Sequence, residues 1–257
     1  MQRRTFLTAL AASPAFAQSS ARWKISHRDT DTALPKGAVL HRFSVSGEDS
    51  VDFQVVRFSS NQCTLRVVDQ ERDSAVSLAE AMPRVGAIAG VNGGFFKPNF
   101  NPLGLVISQG RRAGTWQKSS LLGGVVMVKQ GKPLLLWRDE FQDSARITEL
   151  LQVGPRLVNN GVPVNGLENK AARPRTFIAT DNAGQWLLGI GAYTTLAHLA
   201  QILALPELVP GMEIVRALNF DGGKSTALWA RATDGSVVSE TEFGKVRNFV
   251  AILPRIR

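Results

Sequence analysis

Short apolar runs separated by turn residues dominate the chain, and they predict β-strands rather than long helices. Five of these runs are bounded by Gly, Asn, Pro or Ser, which is typical of strands that end in turns: Val51–Phe58, Cys63–Asp69, Gly104–Ser108, Val125–Lys129 and Leu134–Trp137. Three dipeptides stand where hairpin turns are expected, namely Gln109-Gly110, Gln130-Gly131 and Asp234-Gly235.

Two segments predict helices. Ser77-Leu78-Ala79-Glu80 has the form of a capping box, and Pro83 predicts an early end to that helix. The second helix follows Thr195 and has the i, i+3, i+4, i+7 stripe of an amphipathic helix, formed by Leu196, Leu199, Ala200 and Leu203. We therefore predict one α+β domain over residues 18–257, with a mixed or antiparallel sheet and a few helices.

Residues 1–17 predict a signal peptide that is cleaved from the mature protein. Arg3-Arg4 precede an apolar run from Phe6 to Ala12, and Ala15-Phe16-Ala17 supplies the small residues of a cleavage site. The arginine pair also resembles a twin-arginine export signal, while an ordinary amphipathic helix is the alternative. No later stretch is apolar for the ~18 residues of a membrane span. We expect a protein of the periplasm or cell envelope with no stable membrane anchor.

The composition indicates a folded globular protein and restricts its chemistry. Of 257 residues, 44% are hydrophobic and 20% charged, which is richer in apolar residues than a disordered chain. The single cysteine, Cys63, cannot form a disulfide within the chain, and three scattered histidines disfavour an all-His metal site. Aspartate and backbone oxygens can hold calcium, but no dense Asp-x-Asp run is present. We predict no metal and no cofactor.

The positive charge does not indicate a nucleic-acid protein. The formal net charge is +9, or +7 without the predicted signal peptide, after which the basic residues are spread from Arg22 to Arg257 with no block of like charges and no aromatic-basic ladder. An anionic envelope polymer or a phosphorylated sugar fits this charge better, although diffuse charge is most often only a solvated surface. We expect a carbohydrate or sugar-phosphate partner.

Glycine and polar residues are concentrated in three places where an apolar strand stops. These places are Asn92-Gly93-Gly94-Phe95-Phe96, then Gly154-Pro155-Arg156 with Arg173-Pro174-Arg175-Thr176, and finally Asn219-Phe220-Asp221-Gly222-Gly223-Lys224-Ser225-Thr226. Glycine pairs let the backbone turn sharply and approach a ligand closely, although each such segment alone is most often just a turn. A nucleotide-binding loop is excluded because Leu218 stands where that motif needs glycine, and no Gly-x-Ser-x-Gly hydrolase motif occurs.

In their order along the chain, these motifs resemble the phosphodiester glycosidase family. The resemblance runs from about Ala87 to Pro254 and also includes Pro102-x-Gly104-Leu105 and Leu196-x-x-Leu199-Ala200. That family includes an enzyme that removes N-acetylglucosamine from mannose phosphate, and bacterial proteins of exopolysaccharide biosynthesis. The resemblance implies an exported hydrolase that cleaves sugar-1-phosphodiester or related glycosidic bonds in envelope or extracellular polysaccharide.

The resemblance also implies the site. Catalytic roles fall on Asp221, Arg175 and Asn92, and substrate-binding roles on Gly93, Gly94, Asn219, Gly222, Gly223, Ser225 and Thr226. Independently, glycosidic cleavage needs a carboxylate near the anomeric carbon, for which Asp221 is the best candidate, and Arg175 can offer a bidentate fork to phosphate. The alternatives are local: Asp221 satisfying a turn, Asn92 capping its own backbone, or Arg175 pairing with Asp181.

Two positions depart from the family pattern. Lys224 stands where the family often has a third glycine, and His198 stands where it often has an acidic residue. Lys224 can add affinity for an anionic substrate or block a pocket, and His198 means either that a family carboxylate is missing here or that it was never catalytic. The departures leave a second hypothesis open, a non-catalytic carbohydrate-binding protein of the envelope.

Overall fold

Strands are the main regular structure of residues 23–255, the part of the chain that the computed structural model describes. The predicted signal peptide, residues 1–17, lies outside the described residues and stays a prediction. In chain order the strands are β1 (Lys24–Arg28), β2 (Thr32–Ala33), β3 (Val39–Ser46), β4 (Ser50–Ser59), β5 (Cys63–Asp69), β6 (Ala89–Asn92), β7 (Val106–Ser108), β8 (Arg111–Ala113), β9 (Gly124–Lys129), β10 (Lys132–Trp137), β11 (Ile147–Val153), β12 (Arg156–Asn159), β13 (Val162–Pro163), β14 (Arg173–Thr180), β15 (Gln185–Thr194), β16 (Arg216–Asn219), β17 (Leu228–Arg231), β18 (Val237–Glu240) and β19 (Asn248–Pro254).

The strands form three sheets, and the strand pairs are antiparallel throughout. The large sheet has nine strands in the order β1-β3-β4-β15-β14-β16-β12-β13, with β2 beside β3. The second sheet has the order β10-β9-β11-β7-β8, and the third has the order β18-β17-β6-β19-β5.

All five predicted strands are present: β5 has the predicted bounds, β4, β9 and β10 are one or two residues longer, and β7 is shorter. β7 begins at Val106 rather than Gly104, because the N–H of Leu105 donates to the side chain of Gln152 instead of to a neighbouring strand. Gln109-Gly110 and Gln130-Gly131 join adjacent strands, and all four residues have positive φ, as two-residue hairpin turns require.

Both predicted helices are present, and both are short. α1 (Leu78–Arg84) begins with the capping box, in which the Ser77 hydroxyl accepts from the N–H of Glu80 and the Glu80 carboxylate accepts from the N–H of Ser77. It ends one residue beyond Pro83, so the proline shortens the helix as expected. α2 (Leu196–Leu203) is capped by the Thr195 hydroxyl. Neither of these helices is long and apolar enough to cross a membrane.

The three sheets share one core, so the described residues form a single domain. Apolar side chains from all three sheets meet there, among them Leu188 of the large sheet, Val126 of the second and Ile252 of the third. α2 covers the other face of the large sheet, where Leu199 belongs to the same apolar cluster as Phe177, and α1 covers the third sheet.

The expectation of a single α+β domain with a mixed or antiparallel sheet and a few helices is confirmed in part, since the domain is single and its strands are antiparallel. The domain is mostly β, with three antiparallel sheets, because two helices of seven and eight residues cannot cover the faces of so many strands. The sheets therefore bury their apolar faces mainly against one another.

One buried carboxylate lies at the junction of the second and third sheets. Glu149 of β11 is 7% exposed, and one of its oxygens, Oε2, accepts from the backbone N–H of Val67 at 3.0 Å and of Gln109 at 3.3 Å. Burial raises the pKa of Glu149 to about 6, against the lowering effect of these two hydrogen bonds.

Glutamine at this position is expected to stabilise the protein at neutral pH. Between the ordinary carboxyl pKa and about 6 the native protein binds more protons than the unfolded chain, so the contribution of Glu149 to stability falls as pH rises through that window. Glu149→Gln keeps an oxygen acceptor for both N–H groups. Urea unfolding should give a variant about 2 kcal/mol more stable than wild type above about pH 7, with no difference near about pH 4. A difference independent of pH would contradict this.

Candidate active site

Asn92 joins three of the sequence motifs through its side-chain amide. Its Nδ2 donates to the backbone oxygen of Asp221 at 2.7 Å. Its Oδ1 accepts from the Thr176 hydroxyl at 2.6 Å and from the N–H of Ala227 at 3.1 Å. The side chain has no exposed surface, and all three bonds reach other segments rather than its own backbone. Asn92 therefore holds the site together from within the core.

The first glycine pair follows Asn92 and packs against β19. A Cβ at Gly93 would lie 2.2 Å from the Oδ1 of Asn248, so this close approach requires glycine. The N–H of Gly93 donates to the backbone oxygen of Asn248, and the N–H of Gly94 donates to its Oδ1. These two N–H groups are therefore engaged within the protein and are not free to bind an anion.

Asp221 stands at the base of the third motif, beside the first. Its N–H donates to the backbone oxygen of Gly93 at 3.0 Å. Its carboxylate accepts from the N–H of Gly222 at 2.9 Å and from the hydroxyl of Ser225. Burial raises the pKa of Asp221, and the hydrogen bonds from Ser225 and Gly222 oppose that rise. The carboxylate therefore satisfies its local turn and is also partly buried.

Arg175 lies close to this motif, but its guanidinium is engaged elsewhere. A Cβ at Gly222 would lie 2.7 Å from the backbone oxygen of Pro174 and 3.8 Å from the Cδ of Arg175, so the turn packs directly on β14. The guanidinium donates to the backbone oxygens of Thr194 and Ala171. It also lies 3.7 Å from Glu168 rather than pairing with Asp181.

The remaining predicted residues divide between scaffold and surface. Asn219 is buried and donates to the backbone oxygens of Gly154 and Phe220, which ties the second motif to the third. Ser225 holds Asp221, and Gly223 has a φ of 63°, which favours glycine at the start of this turn. Thr226 has a buried hydroxyl without a hydrogen-bond partner among the described residues.

An open groove of about 1080 Å³ runs beside this turn. Three residues of the third motif line it: Gly223, Lys224 and Thr226. Its floor includes Gly191 and Ala192 of β15, and the loop after β18 forms another side. Asp221, Arg175 and Asn92 are not among the lining residues, so the groove borders the cluster that holds Asp221.

The lining of the groove contains cations, carboxylates and exposed aromatic rings. Arg173 and Lys224 supply the positive charges, and Asp52 and Glu240 supply the negative ones. Glu240 accepts a hydrogen bond from the amide of Gln54, another lining residue. The aromatic residues are Tyr193 and Phe243, which at 70% and 80% exposure are the most exposed large apolar side chains in the described part of the chain.

Sequence reasoning missed several of these groove residues. Arg173 stands two positions before Arg175 in the same motif, so the sequence shows a second positive charge there. The strand register shifts between the two residues, and they therefore have different surroundings. Asp52 and Gln54 alternate with buried residues along β4, which marks an exposed face without revealing what lies opposite it. Nothing in the sequence indicates that Phe243 meets Lys224.

The two departures from the family pattern lie in different parts of the molecule. Lys224 lines the groove, with its Nζ 5.7 Å from the ring centroid of Phe243. His198 is buried on α2, where it lies 3.2 Å from Glu48 and packs edge-on against Trp23. His198 therefore has a structural environment, and it is not among the residues that line the groove.

Acidic and histidine side chains do not form a metal cluster in residues 23–255. No group of three or more His, Cys, Asp or Glu side chains in this range is placed to hold a metal ion.

A family model decides the relationship that the motifs suggested. The model described as phosphodiester glycosidase matches residues 85–253. The chain belongs to this family. The matched region spans more than half of the chain and contains all three glycine-rich motifs, which confirms the resemblance. None of the curated protein sequences matches the chain.

Solved structures support the same fold. The catalytic domain of zebrafish N-acetylglucosamine-1-phosphodiester alpha-N-acetylglucosaminidase, auto-inhibited by its pro-peptide, is 15% identical with a TM-score of 0.59, and the alignment covers 93% of this chain and 85% of that one. A hypothetical protein from Synechocystis is 17% identical with a TM-score of 0.57, covering 85% and 62% of the two chains. A protein of Burkholderia pseudomallei K96243 described as exported is 12% identical with a TM-score of 0.53, covering 80% and 74%. At these identities the likeness establishes the fold alone.

Replacing the central amide by its isosteric carboxylate is expected to destabilise the domain. Asn92→Asp removes the donor to the Asp221 oxygen and buries an unpaired charge against it, which should cost about 3 to 5 kcal/mol in urea unfolding at neutral pH. Thr176→Val is the matched control, because it removes one hydroxyl donor from the same network and should cost about 1 kcal/mol. At acidic pH the difference in unfolding free energy between Asn92→Asp and wild type should become smaller, because the introduced carboxyl group can donate a hydrogen bond once it is protonated. Equal losses for both variants at neutral pH would refute a central role for Asn92.

Proposed function

We propose that the protein hydrolyses the glycosidic bond of sugar-1-phosphodiesters. The observation that carries the proposal is the hydrogen-bonded junction of Asn92, Thr176 and Asp221, which holds one partly buried carboxylate at the edge of an open groove. Membership of the phosphodiester glycosidase family supports the reaction class.

Asp221 is proposed as the base that activates water. In this reaction water attacks the anomeric carbon, the bond between that carbon and the phosphate oxygen breaks, and the electron pair leaves with the phosphate monoester. Asp221 takes the proton from the attacking water, and until that transfer is complete its negative charge stabilises the positive charge that develops on the ring. Because burial raises the pKa of Asp221, activity should fall as acid protonates it, at a higher pH than for an ordinary aspartate.

Lys224 and Arg173 are proposed to bind the leaving phosphate. A phosphate monoester departs as a stable anion, so its departure requires nearby positive charge more than a strong proton donor. Both cations line the groove, whereas the guanidinium of Arg175 is engaged by Thr194, Ala171 and Glu168. We therefore assign Arg175 a positioning role, in which it holds the strand against which Gly222 packs.

We further propose that the protein is exported and acts on envelope or extracellular polysaccharide. The signal-like pattern of residues 1–17 supports export. An open groove, rather than a closed pocket, supports a large substrate. The zebrafish enzyme with the same fold is named for N-acetylglucosamine-1-phosphodiesters, which makes these compounds the first substrates to test.

A non-catalytic carbohydrate-binding protein is the second candidate. The internal engagement of the Asn92 amide and the Arg175 guanidinium favours it, because neither group is then available to a reacting phosphate. Under this alternative, Asp221 only satisfies its turn, and Asp221→Asn would leave glycan affinity almost unchanged while neither form consumes substrate.

Turnover in oxygen-18 water should test the reaction directly. The full chain is incubated with methyl N-acetylglucosamine 1-phosphate, a phosphodiester. Mass spectrometry then shows which product carries the oxygen-18 label. We expect the label in the sugar, because the bond to the anomeric carbon breaks. Asp221→Asn should lower kcat by about 10²- to 10⁴-fold, as loss of a general base does.

The matched control is Asp234→Asn, at another aspartate that precedes a glycine in a turn. Asp234 accepts from the N–H of Ser236 in an exposed hairpin and does not line the groove, so its loss should leave kcat within about twofold of wild type. Label in the phosphate would instead assign cleavage of the P–O bond, and no turnover would favour the binding protein.

A further inference from the structure

We infer that the groove binds a chain of repeating sugar-phosphate units rather than a single sugar, with Tyr193 and Phe243 as two sugar-stacking positions. This inference deepens the proposed function and rests on it. Two large aromatic side chains, Tyr193 and Phe243, are exposed and do not pack in the hydrophobic core. Large aromatic rings are seldom left in water without a binding role when they share one concave surface, and both of these rings line the groove.

Each ring is accompanied by a cation. Lys224 lies over the ring of Phe243, and the N–H of Phe243 donates to the backbone oxygen of Lys224, which fixes the two residues as a pair. At the other position, Arg173 of β14 and Tyr193 of the neighbouring strand β15 both line the groove.

This pairing matches the chemistry of a sugar-phosphate repeat. The apolar face of a pyranose packs on an aromatic ring, and a phosphodiester takes an ammonium or guanidinium donor. The Lys224–Phe243 pair and the second ring and cation, Tyr193 and Arg173, thus offer two places in one groove for a sugar next to a phosphate. The carboxylates of Asp52 and Glu240 can accept hydrogen bonds from sugar hydroxyls, and they disfavour a ligand that carries negative charge along its whole surface.

The size of the groove agrees with more than one sugar. Its volume of about 1080 Å³ lies just above the roughly 300–1,000 Å³ of pockets that enclose a drug-sized ligand. The turn of Gly223 and Lys224, which follows Asp221, borders the groove, so a chain lying there passes beside the proposed base. Cleavage within a chain, rather than only at its end, then becomes possible.

Binding of defined oligomers should test the inference. The probes are a synthetic tetramer of N-acetylglucosamine 1-phosphate joined by phosphodiesters, the single methyl diester, and the neutral tetramer of β-1,4-linked N-acetylglucosamine. Calorimetric titrations use full-length Asp221→Asn protein so that no probe is consumed. We expect the phosphodiester tetramer to bind about tenfold or more tightly than either of the other probes.

Substitutions should locate the binding positions. Tyr193→Ala and Phe243→Ala should each weaken tetramer binding by about two- to tenfold, and Tyr193→Phe and Phe243→Tyr should restore most of that affinity. Val162→Ala is the control, since Val162 is an exposed apolar residue of β13 that does not line the groove, and it should leave the affinity unchanged. Equal affinity for the tetramer and the single diester, equal affinity for the neutral tetramer, or alanine variants that bind like wild type would each overturn the inference.

This outcome is separable from that of the proposed function. If the protein cleaves the single diester but binds the tetramer no more tightly than that diester, the proposed function stands and the inference is wrong. A protein that binds the tetramer through both rings, yet transfers no label from water to sugar, retains the inference for the site and loses the hydrolytic function.

Discussion

The arrangement of the site depends on one buried amide. Asn92 ends a strand of the third sheet, Thr176 belongs to the large sheet, and Asp221 and Ala227 flank the glycine-rich turn between the two. An unpaired amide in the core would cost free energy, so each bond of Asn92 constrains the segment that it reaches. Because Asp221 is fixed through its backbone, its carboxylate is left to the N–H of Gly222 and to Ser225.

Glycine serves this junction mainly by the absence of a side chain. At Gly93 and Gly222, a Cβ would collide with Asn248 and with the backbone of Pro174, respectively. The three glycine-rich motifs can therefore contact one another. As a result, the carboxylate of Asp221, the strand that carries Arg175 and Thr176, and the groove lie in one region of the fold. The N–H groups of Gly93 and Gly94 donate to Asn248 and are not free to bind an anion. An anionic substrate must therefore be bound by charged side chains such as Lys224.

Much of the architecture could be predicted from the chain, and the site only in part. The five apolar runs, the hairpin dipeptides and the capped starts of both helices express local preferences, which act over a few residues and survive folding. The division of strands into three sheets depends on contacts between distant segments and has no local signal. The same limit applies to Arg175, whose motif indicates a phosphate contact while its guanidinium bonds Thr194 and Ala171. The groove cannot be predicted from local sequence either, because Tyr193 and Phe243 are brought to one surface only by folding.

In the proposed reaction, the side chain at position 221 acts at the anomeric carbon while the phosphate lies in the groove. A crystal structure of Asp221→Asn protein with methyl N-acetylglucosamine 1-phosphate would test this arrangement. We expect the anomeric carbon beside the substituted side chain at position 221, with the phosphate within hydrogen-bonding distance of Lys224 or Arg173. A sugar bound away from that position, or a phosphate held outside the groove, would contradict it.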